Sequence, residues 1–109
     1  MTCENIFDIN KENYSKIGLN SSLPVLLDFW AIWCTPCKPL EPVLEYLARL
    51  YKGRLIVGRV NADEEIQLVK EFDIRNLPTL ILIKDGKVSE TIIGARSRFD
   101  LRILIEKYL

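Results

Sequence analysis

The sequence predicts an α/β fold in three layers, with a central mixed sheet of five strands flanked by four helices. Three observations carry this. Residues 24–31 are almost all apolar, the pattern of a strand buried on both faces by covering helices. Beyond Pro36 the apolar residues recur at helical spacing instead. Two later apolar runs, 79–83 and 88–93, flank Asp85-Gly86, a dipeptide suited to the positive φ angles of a tight hairpin.

Taken in order, residues 5–9 read as a short first strand. A helix over 11–17 follows, stopping at Gly18, and 20–23 is a short polar break before the strand at 24–31. The next helix turns Leu40, Val43, Leu44, Leu47, Leu50 and Tyr51 to one face and ends at Gly53. Pro36, Pro39 and Pro42 all fall early in it, so a distorted first turn and a kink near Pro42 are expected. Residues 55–60 form a strand. Asp63 is then placed to cap a helix that turns Ile66, Val69 and Phe72 inward. After the hairpin, Ser97 with Asp100 resembles a capping box opening a last helix that buries Leu101, Leu104, Ile105 and Tyr108. Strands and helices alternate and then give way to a hairpin, which implies a mixed sheet with helices on both faces. With no repeat, linker or low-complexity tract, residues 1–109 read as a single domain.

The composition narrows the function. At 49% apolar, the 109 residues can bury a core without metal or disulfide staples. Fifteen basic and fifteen acidic residues cancel, so no global field recruits nucleic acid or an anionic membrane. The first ten residues lack a basic and an apolar signal region, and no apolar run is long enough to span a bilayer. A cytoplasmic protein, acting as a monomer, is expected. Three cysteines and no histidine cannot complete a four-ligand zinc or iron–sulfur site of the Cys/His type within one chain, and exclude Cys–His catalysis. A haem-attachment motif fails because Lys38 follows Cys37. No metal and no bound cofactor are expected.

Chemistry concentrates at Trp33-Cys34-Thr35-Pro36-Cys37-Lys38, where the buried strand hands over to a helix. The first turn of a helix has unpaired N–H groups and a partial positive charge, which stabilise a thiolate. Cys34 is therefore the expected nucleophile, exposed and with a lowered pKa. Cys37, three residues on, lies on the same side of the turn, shielded and near enough to resolve a mixed disulfide. Pro36 suits a first turn, where its missing N–H costs no hydrogen bond. Zinc knuckles also use C-x-x-C, but the strand before the pair, the helix after it and the lack of further ligands favour redox chemistry over a metal half-site or a structural pair.

Asp28-Phe29-Trp30-Ala31, the Trp33–Lys38 segment, Leu77-Pro78-Thr79, Asp85-Gly86 and Gly94 together resemble the motifs of the thioredoxin family, in order and spacing, over essentially the whole chain. The resemblance implies the thioredoxin fold and reduction of protein disulfides by Cys34 and Cys37, with the redox-active pair in place of a cofactor. It implies disulfide-containing proteins as substrates and a flavin-dependent thioredoxin reductase as electron donor. Asp28, odd in an apolar strand, reads by itself as an acid on a wet edge or as a buried acid, and a buried one is costly unless neutral or paired. The resemblance implies the second: a proton relay for Cys37, acting through water, its pKa raised towards neutrality. It also implies a cis peptide between Leu77 and Pro78, with the Leu77 backbone pairing to substrate as an added strand. Trp33, Leu77, Pro78, Gly94 and Ala95 would form an apolar collar around Cys34, extended by Ile32, with Thr35 and Pro36 beside it. Phe29 and Trp30 read as core.

Some residues depart from the family pattern. Thr35 replaces the common glycine between the cysteines, and its hydroxyl is placed to bond a thiolate. Arg59 stands for the common lysine near the acid, and arginine keeps its charge when buried, so it and Lys38 are candidate tuning residues. Asn76 replaces a frequent glycine. With no histidine between the cysteines, a reductant is favoured over an oxidase or isomerase of similar fold. A binding subunit with incidental cysteines, and two chains pooling their pairs around one metal, stand as rival readings. Cys3 reads as a harmless terminal thiol, with a regulatory role as its rival.

Overall fold

The structure, a computed structural model, describes residues 5–109; Cys3 lies outside them. Five strands form one sheet: β1 (Ile6–Asp8), β2 (Val25–Trp30), β3 (Ile56–Asn61), β4 (Thr79–Lys84) and β5 (Lys87–Ile93). Their order is β1-β3-β2-β4-β5. The β1–β3 and β3–β2 pairs are parallel, and the β2–β4 and β4–β5 pairs are antiparallel. The sheet is thus mixed, as the sequence implies. Three α-helices, α1 (Leu40–Leu50), α2 (Ile66–Glu71) and α3 (Arg98–Glu106), and a π-helical turn at Ser15–Leu19 cover it.

Alternation along β2 and β4 divides the core in two. Leu26, Leu80 and Leu82 point into one cluster with Leu40, Leu44, Leu47, Leu101 and Ile105, so α1 and α3 share that face. Val25, Leu27, Phe29, Ile81 and Ile83 point the other way, to Tyr14 and Leu68, beneath the π-turn and α2. Val25, Leu26, Leu27 and Phe29 are fully buried, the two-faced burial that their uninterrupted apolar run predicts. Each such side chain contributes roughly 1.5–3 kcal/mol of burial free energy.

Several local expectations need correction. The first helix is a π-helical turn beginning later than 11–17, and Gly18 lies within it instead of ending it. A Cβ at Gly18 would meet the Tyr14 ring at 2.7 Å, so close packing accounts for the glycine. Pro42 sits in the first turn of α1, which starts only at Leu40, so no intrahelical donor is lost there. Leu40, Leu44, Leu47 and Tyr51 are buried as the spacing predicts and Ala48 joins them, while Leu50, at the edge of the stripe, is 44% exposed. Asp63 caps nothing; α2 begins after Glu65 with no side-chain cap, Leu68 takes the core position and Ile66 is exposed. Two end signals hold. Asp85 and Gly86 have φ of 54° and 75° at the hairpin, and the Ser97 hydroxyl accepts the Asp100 N–H at 3.1 Å at the start of α3.

Candidate active site

The chain leaves β2 at Trp30 and turns at once. The Cys34 N–H donates to the Ala31 carbonyl (3.1 Å), and Cys34 itself is extended (φ −81°, ψ 102°). A single 3₁₀ turn, Thr35–Cys37, follows, then a further turn before α1. This is the distorted helix start that the prolines predict. Pro36 lies within the 3₁₀ turn, Pro39 just before α1 and Pro42 in its first turn, all positions where a missing N–H costs little.

Cys34 and Cys37 are joined as a disulfide, their Cα atoms 5.4 Å apart. They form a small apolar cluster with Ala31, against which Trp30 and Leu77 pack. One expectation fails here. Cys34 is not the exposed member of the pair, because the two cysteines are 2% and 3% exposed. In the disulfide both are enclosed by the same neighbours, and accessibility does not distinguish them.

Ile32 (77% exposed) and Trp33 (64%) present an apolar surface, and Thr35, Pro36 and Lys38 are exposed on the same loop. The Leu77–Pro78 peptide is cis. Pro78 is buried, and its carbonyl accepts the Gly94 N–H at 2.9 Å, tying the proline loop to the end of β5. Gly94 has φ of +87°, a backbone angle that a side chain would strain. On the other side of Asn76, whose carbonyl accepts the Thr79 hydroxyl at 2.6 Å, the same loop is fixed to β4.

Asp28 lies on the α1 face of β2 and is 1% exposed. Register pairs it with Arg59 on β3, and Arg59 Nε comes to 3.6 Å from Asp28 Oδ2. That is an ion-pair contact but too long for a hydrogen bond, and neither carboxylate oxygen has a hydrogen-bond partner among the described residues. Burial pushes the Asp28 carboxyl up to about 7, opposed by Arg59 and reinforced by the negative charge of Glu41. A group poised there accepts and returns protons near neutral pH.

Two contacts lie beyond what the sequence predicts. The Trp33 indole N–H donates to Asp63 Oδ2 at 2.9 Å, which orients the exposed ring. Glu41 Oε1 reaches Arg59 Nη2 at 3.7 Å. The one sequence signal for Glu41 is its place a helical turn beyond Cys37.

The family model described as Thioredoxin matches residues 5–107. The chain is 41% identical over 102 residues to the chloroplastic M-type thioredoxin of Spinacia oleracea, covering 94% of this chain and 56% of that protein. It therefore spans little more than half of the spinach protein. It is 38% identical to the thioredoxin of Haemophilus influenzae, covering 95% of this chain and 97% of the other. With the thioredoxin of Pseudomonas aeruginosa the identity is 39%, over 94% of this chain and 95% of that one.

Proposed function

Because the chain belongs to the thioredoxin family, we propose that it is a protein dithiol–disulfide oxidoreductase that reduces substrate disulfides through Cys34 and Cys37. The observation that carries this is the Cys34–Cys37 disulfide set between the end of β2 and the start of α1, against Leu77.

In the reduced protein the Cys34 thiolate attacks one sulfur of a substrate disulfide. The substrate S–S bond breaks, a mixed disulfide to Cys34 forms, and the departing substrate sulfur takes up a proton. Cys37 then loses its proton and attacks Cys34 Sγ, expelling the second substrate thiol. Two electrons have moved to the substrate, whose two sulfurs take one proton from solvent and, by way of Asp28, the one released by Cys37; the Cys34–Cys37 disulfide remains. The Cys37 proton passes to Asp28, whose buried carboxylate near neutrality supports the assignment. Trp33, Thr35, Pro36, Leu77, Pro78 and Gly94 form the substrate-facing rim. The Leu77 backbone takes the substrate chain as an added strand, and the exposed Ile32 and Trp33 suit apolar, partly unfolded segments. Arg59 tunes Asp28, and Lys38 contributes positive charge near Cys34.

The electron donor in this reading is a thioredoxin reductase, and the protein works as a monomer in the cytoplasm, a compartment that keeps thiols reduced. Fractionation of cells carrying a tagged chain tests the location. The decisive experiment for the activity is trapping: Cys37→Ser strands substrates as mixed disulfides on Cys34, released by a small thiol. If Cys37→Ser traps no more than Cys34→Ser does, the proposal fails.

A further inference from the structure

Arg59 touches more than Asp28. Its Nε faces Asp28 Oδ2 at 3.6 Å, its Nη2 faces Glu41 Oε1 at 3.7 Å, and its guanidinium carbon lies 4.3 Å from the Trp30 ring centroid. The flat cation is stacked on one aromatic face and shared between two acids, one buried and one about half exposed. Neither contact is a hydrogen bond, and Arg59 Nε and Nη2 are buried without a hydrogen-bond partner among the described residues. The guanidinium is therefore not locked to either acid. Glu41 also lines the small cleft that runs over Trp30, Ala31, Ile32 and Lys38 to Cys37. The same helical turn thus places Glu41 at the resolving cysteine and against the partner of the buried acid.

We infer that Glu41 is a positioning residue for the proton-transfer step: by holding the outer nitrogen of Arg59, it sets how much of that guanidinium's charge acts on Asp28. It rests on the proton-relay reading of Asp28. The charged groups facing this chain are few. Arg59 faces Asp28 from β3 and Glu41 faces Arg59 from α1, while the paired cysteines do not titrate. Lys38 shares the Cys37 cleft with Glu41, and Asp8, Glu64 and Glu65 line the cleft on the other side of Arg59. Among the described residues only Asp28 and Glu41 come within ion-pair distance of Arg59.

Neutralising Glu41 removes a negative charge and leaves Arg59 to a single acid. Both changes favour ionised Asp28. Carbon-13 NMR titration of the Asp28 carboxyl in the oxidised protein reads this directly, without reference to activity. In Glu41→Gln its midpoint is expected to fall by roughly 0.5–1 pH unit. The acid limb of the pH–rate profile for disulfide reduction is expected to move the same way, with the plateau within about twofold. Glu41→Asp, which keeps the charge, retains most of the original midpoint. Glu45→Gln, on the same helix but in no ion pair among the described residues, leaves both readouts in place. An Asp28 midpoint that stays put in Glu41→Gln overturns the inference. So does a rate profile that answers to Asp28→Asn but not to Glu41→Gln, and the relay role of Asp28 survives that outcome. A rate profile indifferent to Asp28→Asn overturns the relay, and the inference with it.

Discussion

Two carboxylate–arginine pairs on the α1–α3 side of the molecule have the same separation and opposite character. Arg59 Nε lies 3.6 Å from Asp28 Oδ2, and Arg102 Nε lies 3.6 Å from Glu106 Oε2. Glu106 is about half exposed, accepts a hydrogen bond from the Tyr51 hydroxyl at 2.6 Å, and has its carboxyl held below the ordinary range chiefly by that bond. Asp28 is buried, accepts no hydrogen bond among the described residues, and has its carboxyl pushed up to about 7 chiefly by burial. An arginine at equal distance does not decide the outcome. Desolvation and hydrogen bonding do. The pair that braces α3 against α1 is satisfied, whereas the Asp28–Arg59 pair is left without hydrogen bonds among the described residues, a state that costs stability.

The largest expected effect is on stability, where the two acids pull in opposite directions with pH. Asp28 titrates at about 7 in the folded protein against a reference of 3.8. Below the reference value its contribution to folding is fully present, and it is lost as pH rises through the folded value. Across that window the loss is about 4 kcal/mol, an upper figure. Urea unfolding at pH 4.5 and pH 8 is expected to show this slope, and Asp28→Asn to flatten it. Glu106 works with the other sign: its support is present above the unfolded value and is lost as pH falls through its lowered folded value. Glu106→Gln is therefore expected to weaken the protein at pH 8 more than at low pH. If Asp28→Asn loses stability at pH 8, the contrast between the two pairs collapses.

The next effect is kinetic. If Asp28 is the proton relay, Asp28→Asn is expected to slow disulfide reduction at pH 7 by about 100-fold, the lower end for a general base. Glu106→Gln is expected to leave the rate within about twofold. Equal rates for the two variants would make both pairs structural.

Much of this contrast is legible in the chain. An aspartate inside residues 24–31 already stands out, the family resemblance reads it as buried, and the same apolar run fixes the central strand. Cys34 and Cys37, the Asp85-Gly86 hairpin and the Ser97 cap are local signals carried by adjacent residues, so they survive folding unchanged. What is not legible depends on partners brought from elsewhere. Glu41 meets Arg59 only because β2 and β3 pair in register and α1 starts at Leu40. Cys34 is enclosed by Leu77, which arrives from a distant loop. Leu50 and Ile66 are exposed although they fall within the apolar periodicity, which marks a stripe but not how much of it the neighbouring elements cover.

Asp63 supplies the smallest effect and separates the two variables that the paired acids confound. It belongs to the site, like Asp28, but it is exposed and hydrogen-bonded, like Glu106. If burial without hydrogen bonds is what makes Asp28 a proton carrier, proximity to the cysteines alone confers nothing of the kind. Asp63→Ala then releases only the Trp33 indole, whose ring is held at the rim by that one bond. An exposed hydrogen bond contributes about 0.5–1 kcal/mol, so KM for a protein disulfide is expected to rise about two- to fivefold with kcat little changed. The midpoint of the pH–rate profile is expected to stay with the unmodified protein. A shifted midpoint in Asp63→Ala would make nearness to the cysteines, and not burial, the source of the proton chemistry.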